Sequence, residues 1–147
     1  MPGYLLDTNA LSILAPPAAP APARARVFRA WVREHDGDIF LSVITLAEIQ
    51  AGISRLERKG ATKRAADVSH WLSAILELYQ SRTLPLAPGA ALETGRMLDR
   101  AMAAGNSPGF EDAAIAAIAA VNGLTVVTAN ERHFKDFGVS FISPPIR

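Results

Sequence analysis

A chain of 147 residues, half of them hydrophobic and a fifth charged, can bury a core as one globular domain, which length favours over two, and residues 1–147 are read as one unit. Cysteine is absent, which excludes disulfides and thiolate metal sites, and the three histidines (His35, His70 and His133) lack zinc-ligand spacing. The net charge of +1 hides a local excess: nine Lys or Arg against five acids lie between Arg24 and Arg64.

The first element is a short apolar strand, Tyr4-Leu5-Leu6, which stops on Asp7-Thr8-Asn9, so a carboxylate, a hydroxyl and an amide stand at its exit. In an open α/β sheet, chemistry collects outside the carboxyl ends of the strands. The same residues are also common helix caps, and Asp7 fits a cap of the short turn at 10–14. Pro16, Pro17, Pro20 and Pro22 then predict an exposed, stiff connection. Over 23–35, Val27, Phe28, Trp31 and Val32 share one side of a helix and Arg26, Arg29 and Arg33 the other. Asp36-Gly37-Asp38 is a turn, and Ile39-Phe40-Leu41-Ser42 a second strand.

Helical spacing predicts a helix over 45–59 with Leu46, Ile49, Ile53 and Leu56 inward, closed by Gly60. Glu48 then falls in its first turn, where Thr45-x-x-Glu48 also reads as a capping box. Arg55, Arg58, Lys59, Lys63 and Arg64 make a basic corner before a helix over 62–78, which pairs with the previous one as a hairpin. Thr83-Leu84-Pro85-Leu86 is an edge strand, and a helix over 90–104 ends at Gly105. A polar loop, 106–112, opens an Ala- and Ile-rich helix over 113–121 that is apolar nearly all round and therefore buried. Leu124-Thr125-Val126-Val127 is an inner strand that ends on Thr128-Ala129-Asn130, and a last strand covers 139–142. Strands alternating with helices make a three-layer α/β fold with a mostly parallel sheet.

Right-handed crossovers bring strand exits and helix starts to one edge, so Asp7, Glu48 and Asp112 are expected at one mouth. Carboxylates gathered there repel one another unless a cation is present, and an all-oxygen donor set suits Mg²⁺ or Mn²⁺. Such an ion can activate water against a phosphodiester. Each acid has an ordinary structural explanation as well: a cap for Asp7, a capping box for Glu48, a complement to the helix dipole for Asp112. The chain has no Gly-x-x-x-x-Gly-Lys, no Gly-x-Gly-x-x-Gly after the first strand, and no second Asp two residues after Asp7, so P-loop, dinucleotide-binding and aspartyl-phosphate chemistries fit it worse.

Four stretches together resemble the PIN-domain toxins of type II toxin–antitoxin pairs, in the VapC and FitB-like branch. They are Leu5-Leu6-Asp7-Thr8-Asn9-Ala10-Leu11-Ser12, residues 41–53 around Glu48, Asp112-Ala113-Ala114-Ile115-Ala116-Ala117, and Leu124-Thr125-Val126-Val127-Thr128-Ala129-Asn130. The resemblance implies a PIN-like α/β/α fold and a Mg²⁺- or Mn²⁺-dependent ribonuclease that cleaves RNA with a metal-activated water. It further implies a homodimer held inactive by a small antitoxin, through which alone operator DNA is met. Asp7, Glu48 and Asp112 match the family's metal-binding acids, with Thr8, Asn9, Thr128 and Asn130 holding the acids or the metal's waters in place. Where the family often has a further acid, three residues after Asn130, this chain has His133, so the fourth position stays open between His133 and Glu131, with Asp136 also nearby in sequence. RNA backbone contacts are expected from Arg26, Arg29 and Arg33 or from Arg55, Arg58 and Lys59. The alternative is a catalytically weak PIN fold that binds RNA or completes an antitoxin–operator complex. No membrane span or leader is read, and the expected compartment is the cytoplasm.

Overall fold

In the computed structural model, residues 3–17 and 22–145 are described. Pro20 of the expected proline connection lies outside them. Strand β1 (Tyr4–Leu6) leads into α1 (Thr8–Ile13), and after the proline stretch come α2 (Ala23–Glu34), a short 3₁₀ turn at Asp36–Asp38 and β2 (Ile39–Ser42). Helices α3 (Val43–Arg58) and α4 (Thr62–Leu78) precede β3 (Thr83–Leu84), α5 (Pro88–Ala103) and α6 (Phe110–Val121). The chain closes with β4 (Thr125–Val127), α7 (Glu131–Phe134) and β5 (Phe141–Ile142).

The strands form one sheet in the order β3-β2-β1-β4-β5, with every pairing parallel. Tyr4 pairs with Ile39 on one side and with Thr125 on the other, so β1 is central. Alternation along each strand sends neighbours to opposite faces. Leu6, Leu41 and Val127 pack with α1 to α4 in one layer of core, whereas Leu5 and Val126 pack with α5, α6 and α7 in the other. The result is the expected α/β/α arrangement. Among the described residues, no helix is long and apolar enough to cross a membrane.

Helices α1, α3, α5 and α6 each begin two or three residues before the sequence expectation, and the starts of α3 and α6 bear on the acids. Helix α3 begins at Val43 rather than at residue 45, because the Ser42 side chain takes the N-cap position and accepts from the Thr45 N–H at 3.2 Å. The Thr45-x-x-Glu48 capping box therefore does not form, and Glu48 stands beyond the first turn, free of capping duty. Replacing Ser42 by Ala should cost about 1 kcal/mol through the lost cap, read from the urea midpoint. Helix α6 begins at Phe110, with Gly109 at the cap, so Asp112 belongs to the helix rather than to the loop before it. From Ala113 to Ala119 every residue of α6 is buried, as expected for a helix of small side chains pressed between α5 and the sheet. Gly123 follows with φ +66°, the left-handed turn that lets the chain leave α6 and enter β4.

Candidate active site

The chain leaves β1 to build β2 and β3 on one side, then returns to build β4 and β5 on the other, so the switch in strand order lies between β1 and β4. Crevices at such switch points, outside the carboxyl ends of the strands, are where α/β sheets take ligands. Asp7 is the first residue after β1, and Thr128 the first after β4. The Asp7 N–H donates to the Val127 carbonyl at 3.0 Å, which fixes the two exits side by side.

Asp7 is buried, with 2% of its surface exposed. Its Oδ1 accepts from the Ala10 N–H at 2.8 Å, so the residue is both the cap of α1 and the innermost acid of the crevice. Cap and functional group were rival readings in the sequence; the geometry lets one side chain be both, since a carboxylate has lone pairs to spare. Burial away from water pushes the Asp7 carboxyl up from 3.8 to about 6, against the pull of hydrogen bonds from Thr128 and Ala10, with the negative charges of Asp112 and Glu48 pushing further. Both other acids are thus near enough to be felt.

Glu48 is held by a run of hydroxyls from three elements. Ser42 Oγ lies 3.4 Å from Thr45 Oγ1, which lies 3.2 Å from Thr8 Oγ1, which lies 2.5 Å from Glu48 Oε1. Each hydroxyl has one proton and the carboxylate only accepts, so the donations run from Ser42 toward Glu48. Ser42 and Thr45 are fully buried, which makes this run a fixed support. Neither was singled out in the sequence as a site residue. The only signal there was two hydroxyls flanking a strand-to-helix junction, and helix caps look the same.

Asp112, in the first turn of α6, faces α7: its Oδ2 lies 2.8 Å from His133 Nδ1. Of the four supporting residues expected, Thr8 reaches Glu48 and Thr128 reaches Asp7. Asn9 and Asn130 are exposed at the starts of α1 and α7, and among the described residues neither side-chain amide bonds an acid. Asn130 instead gives its backbone N–H to the Thr128 hydroxyl at 2.9 Å. Glu131 accepts from Ser143, and Asp136 from Asn106, so both are engaged outside the acidic group.

Two clefts flank the acids. One, of about 340 Å³, is bordered by Asp112, His133, Asn106, Arg132 and Lys135. The other, of about 380 Å³, is bordered by Thr8, Glu48, Arg55, Lys59 and Arg64. Arg55 and Lys59 of the expected basic residues thus stand beside an acid, while Arg58 is exposed on the same helix. Arg29 and Arg33 border instead a groove with Trp71 and Tyr79, and Arg26 is exposed on α2. Among the described residues, no three Asp, Glu or His side chains are gathered closely enough to enclose an ion unaided. Asp7, buried and within electrostatic reach of Glu48 and Asp112, makes with them an all-oxygen donor set of the kind a hard divalent cation takes while keeping several of its waters.

A PIN-domain family model matches residues 4–139. Over 142 residues the chain is 30% identical to a VapC ribonuclease, Y4jK, of Sinorhizobium fredii, which covers 95% of this chain and 96% of that protein. It is 33% identical over 107 residues to a plasmid stability protein, StbB, of Pseudomonas syringae pv. tomato, covering 72% of this chain and 75% of that one. Among solved structures, FitAcB from Neisseria gonorrhoeae superposes with a TM-score of 0.80 at 30% identity, covering 96% of this chain and 97% of that one. DNA-bound VapBC from Salmonella typhimurium superposes at 0.69 with 28% identity, covering 97% and 98%. With the central parallel strand, the buried aspartate at its exit and a family match running nearly end to end, this chain belongs to the PIN-domain family, in its VapC-like branch.

Proposed function

We propose that this chain is a divalent-metal-dependent endoribonuclease serving as the toxin of a type II toxin–antitoxin pair. The observation that carries the reading is the buried Asp7 carboxylate at the β1–β4 switch point, raised by burial and pushed further by Asp112 and Glu48. Structural carboxylates at helix caps have no need of two further acids turned on them. Asp7, Glu48 and Asp112 would hold Mg²⁺ or Mn²⁺, which when bound lowers the pKa of a coordinated water and offsets charge on the phosphate. Thr8 keeps Glu48 aimed at the mouth, and Thr128 does the same for Asp7. The RNA backbone crosses the acids between the two clefts, with Arg55 and Lys59 on one side and Arg132 and Lys135 on the other.

The solved relatives named as FitAcB and VapBC support a small antitoxin as partner, with operator DNA reached through it, and we assign a homodimer on the same likeness. The test is cleavage of single-stranded RNA by antitoxin-free protein. Mg²⁺ or Mn²⁺ should activate it, a chelator should abolish cleavage, and Asp112→Asn should match the chelated reaction. RNA bound but left uncut with metal present would replace the nuclease with a binding module. Separately, Arg55→Ala with Lys59→Ala should weaken RNA binding and flatten its salt dependence by about 0.7 in log–log slope for each phosphate contact removed, measured by fluorescence anisotropy.

A further inference from the structure

His133 stands where an acid was expected, and the metal-holding set just proposed gives it no role. It is half-exposed, and its imidazole Nδ1 lies 2.8 Å from Asp112 Oδ2. The contact is not what holds α7 in place. Phe134 at the end of α7 and Phe137 just beyond it are fully buried in the layer of core that also contains α6. The aromatic anchors therefore set the position of His133, and His133 in turn meets Asp112.

An ionised carboxylate only accepts hydrogen bonds, so Nδ1 must donate, and it does so whether the ring is neutral or protonated. His133 borders the cleft beside Arg132 and Lys135. A carboxylate turns easily about its last torsion. One oxygen held by a fixed donor stops that rotation and leaves the other to a ligand.

We infer that His133 is a positioning residue for Asp112: it ties up Oδ2 and presents Oδ1 to the divalent cation. This rests on the reading of Asp112 as a metal-holding acid. At this place a carboxylate would add a fourth negative charge, whereas the imidazole supplies a donor, so the chain exchanges a possible ligand for a tighter grip on an existing one. Removal of such supporting hydrogen bonds typically weakens metal binding by about 10- to 100-fold.

The experiment is calorimetric titration of Mn²⁺ alone into the full chain near neutral pH, for wild type, His133→Ala, His133→Asn and Asp112→Asn, with urea midpoints for each. Asn carries an N–H donor close to where Nδ1 stood. His133→Ala should bind Mn²⁺ about tenfold or more weakly, with His133→Asn close to wild type and both variants folded. A purely structural histidine would lower the urea midpoint without changing the affinity of the folded protein. If Asp112→Asn abolishes binding while His133→Ala binds as wild type, the positioning role is overturned and the metal site stands. Equal weakening in the Ala and Asn variants overturns the donor argument. If wild type fails to bind, or Asp112→Asn binds unchanged, the metal reading itself falls and takes this inference with it.

Discussion

Asp7→Asn should abolish RNA cleavage and at the same time make the metal-free protein more stable at neutral pH. The loss of activity follows from removing the charge at the centre of the mouth, and a fall of about a thousandfold is in keeping with the loss of one preorganised electrostatic group. The gain in stability follows from the direction of the Asp7 shift. Its carboxyl is raised from 3.8 to about 6 in the folded chain, so the native state binds the proton more tightly than the unfolded state does. The cost of ionising it in place is absent below pH 3.8, grows between 3.8 and about 6, and is fully present at neutral pH. A difference of this size amounts to about 3 kcal/mol.

Asparagine carries no such cost. Its carbonyl oxygen still accepts from the Ala10 N–H, its amide can donate to the Thr128 hydroxyl, and it is itself a good cap. In the presence of a chelator, the variant should show a higher urea midpoint than wild type at neutral pH and little difference near pH 4. A variant less stable than wild type at neutral pH would mean that Asp7 serves the fold first. The function reading would then lose its main support.

The sheet was legible because its strands are short runs of Leu, Ile and Val cut off by polar residues, and a right-handed parallel sheet leaves little choice of edge. Leu6-Asp7 and Val127-Thr128 could each be read as a strand exit, but that they are neighbours depends on β4 crossing back to pair with β1. No local pattern states that pairing. The helix starts were misplaced for a related reason. Ser42 and Thr45 are both good cap residues three apart, and only the end of β2 decides which one serves. The start of α6 was hidden by Pro108-Gly109, which reads as loop up to the point where Gly109 becomes the cap. The bond from His133 to Asp112 joins residues 21 apart on two helices, and its only trace in the sequence is a histidine in an acid's place.

Proton and metal should compete for Asp7. With the carboxyl raised to about 6, Mn²⁺ must displace a proton from it at any lower pH, so the apparent affinity should fall about tenfold for each pH unit below 6 and level off above about 7. Calorimetry in two buffers of different ionisation enthalpy counts the protons directly: about half a proton released per ion at pH 6, nearly none at pH 8. An acid outside the metal's reach would leave the affinity flat until the ordinary carboxylate range near pH 4. A flat profile through pH 6 would therefore remove Asp7 from the metal site, whatever the activity of its variants. The same competition connects metal to folding. Ion at a hundred times its dissociation constant stabilises the native state by about 2.7 kcal/mol. That nearly offsets the cost of the ionised Asp7, so the added ion should raise the wild-type urea midpoint at neutral pH toward that of metal-free Asp7→Asn and leave the variant's own midpoint little changed.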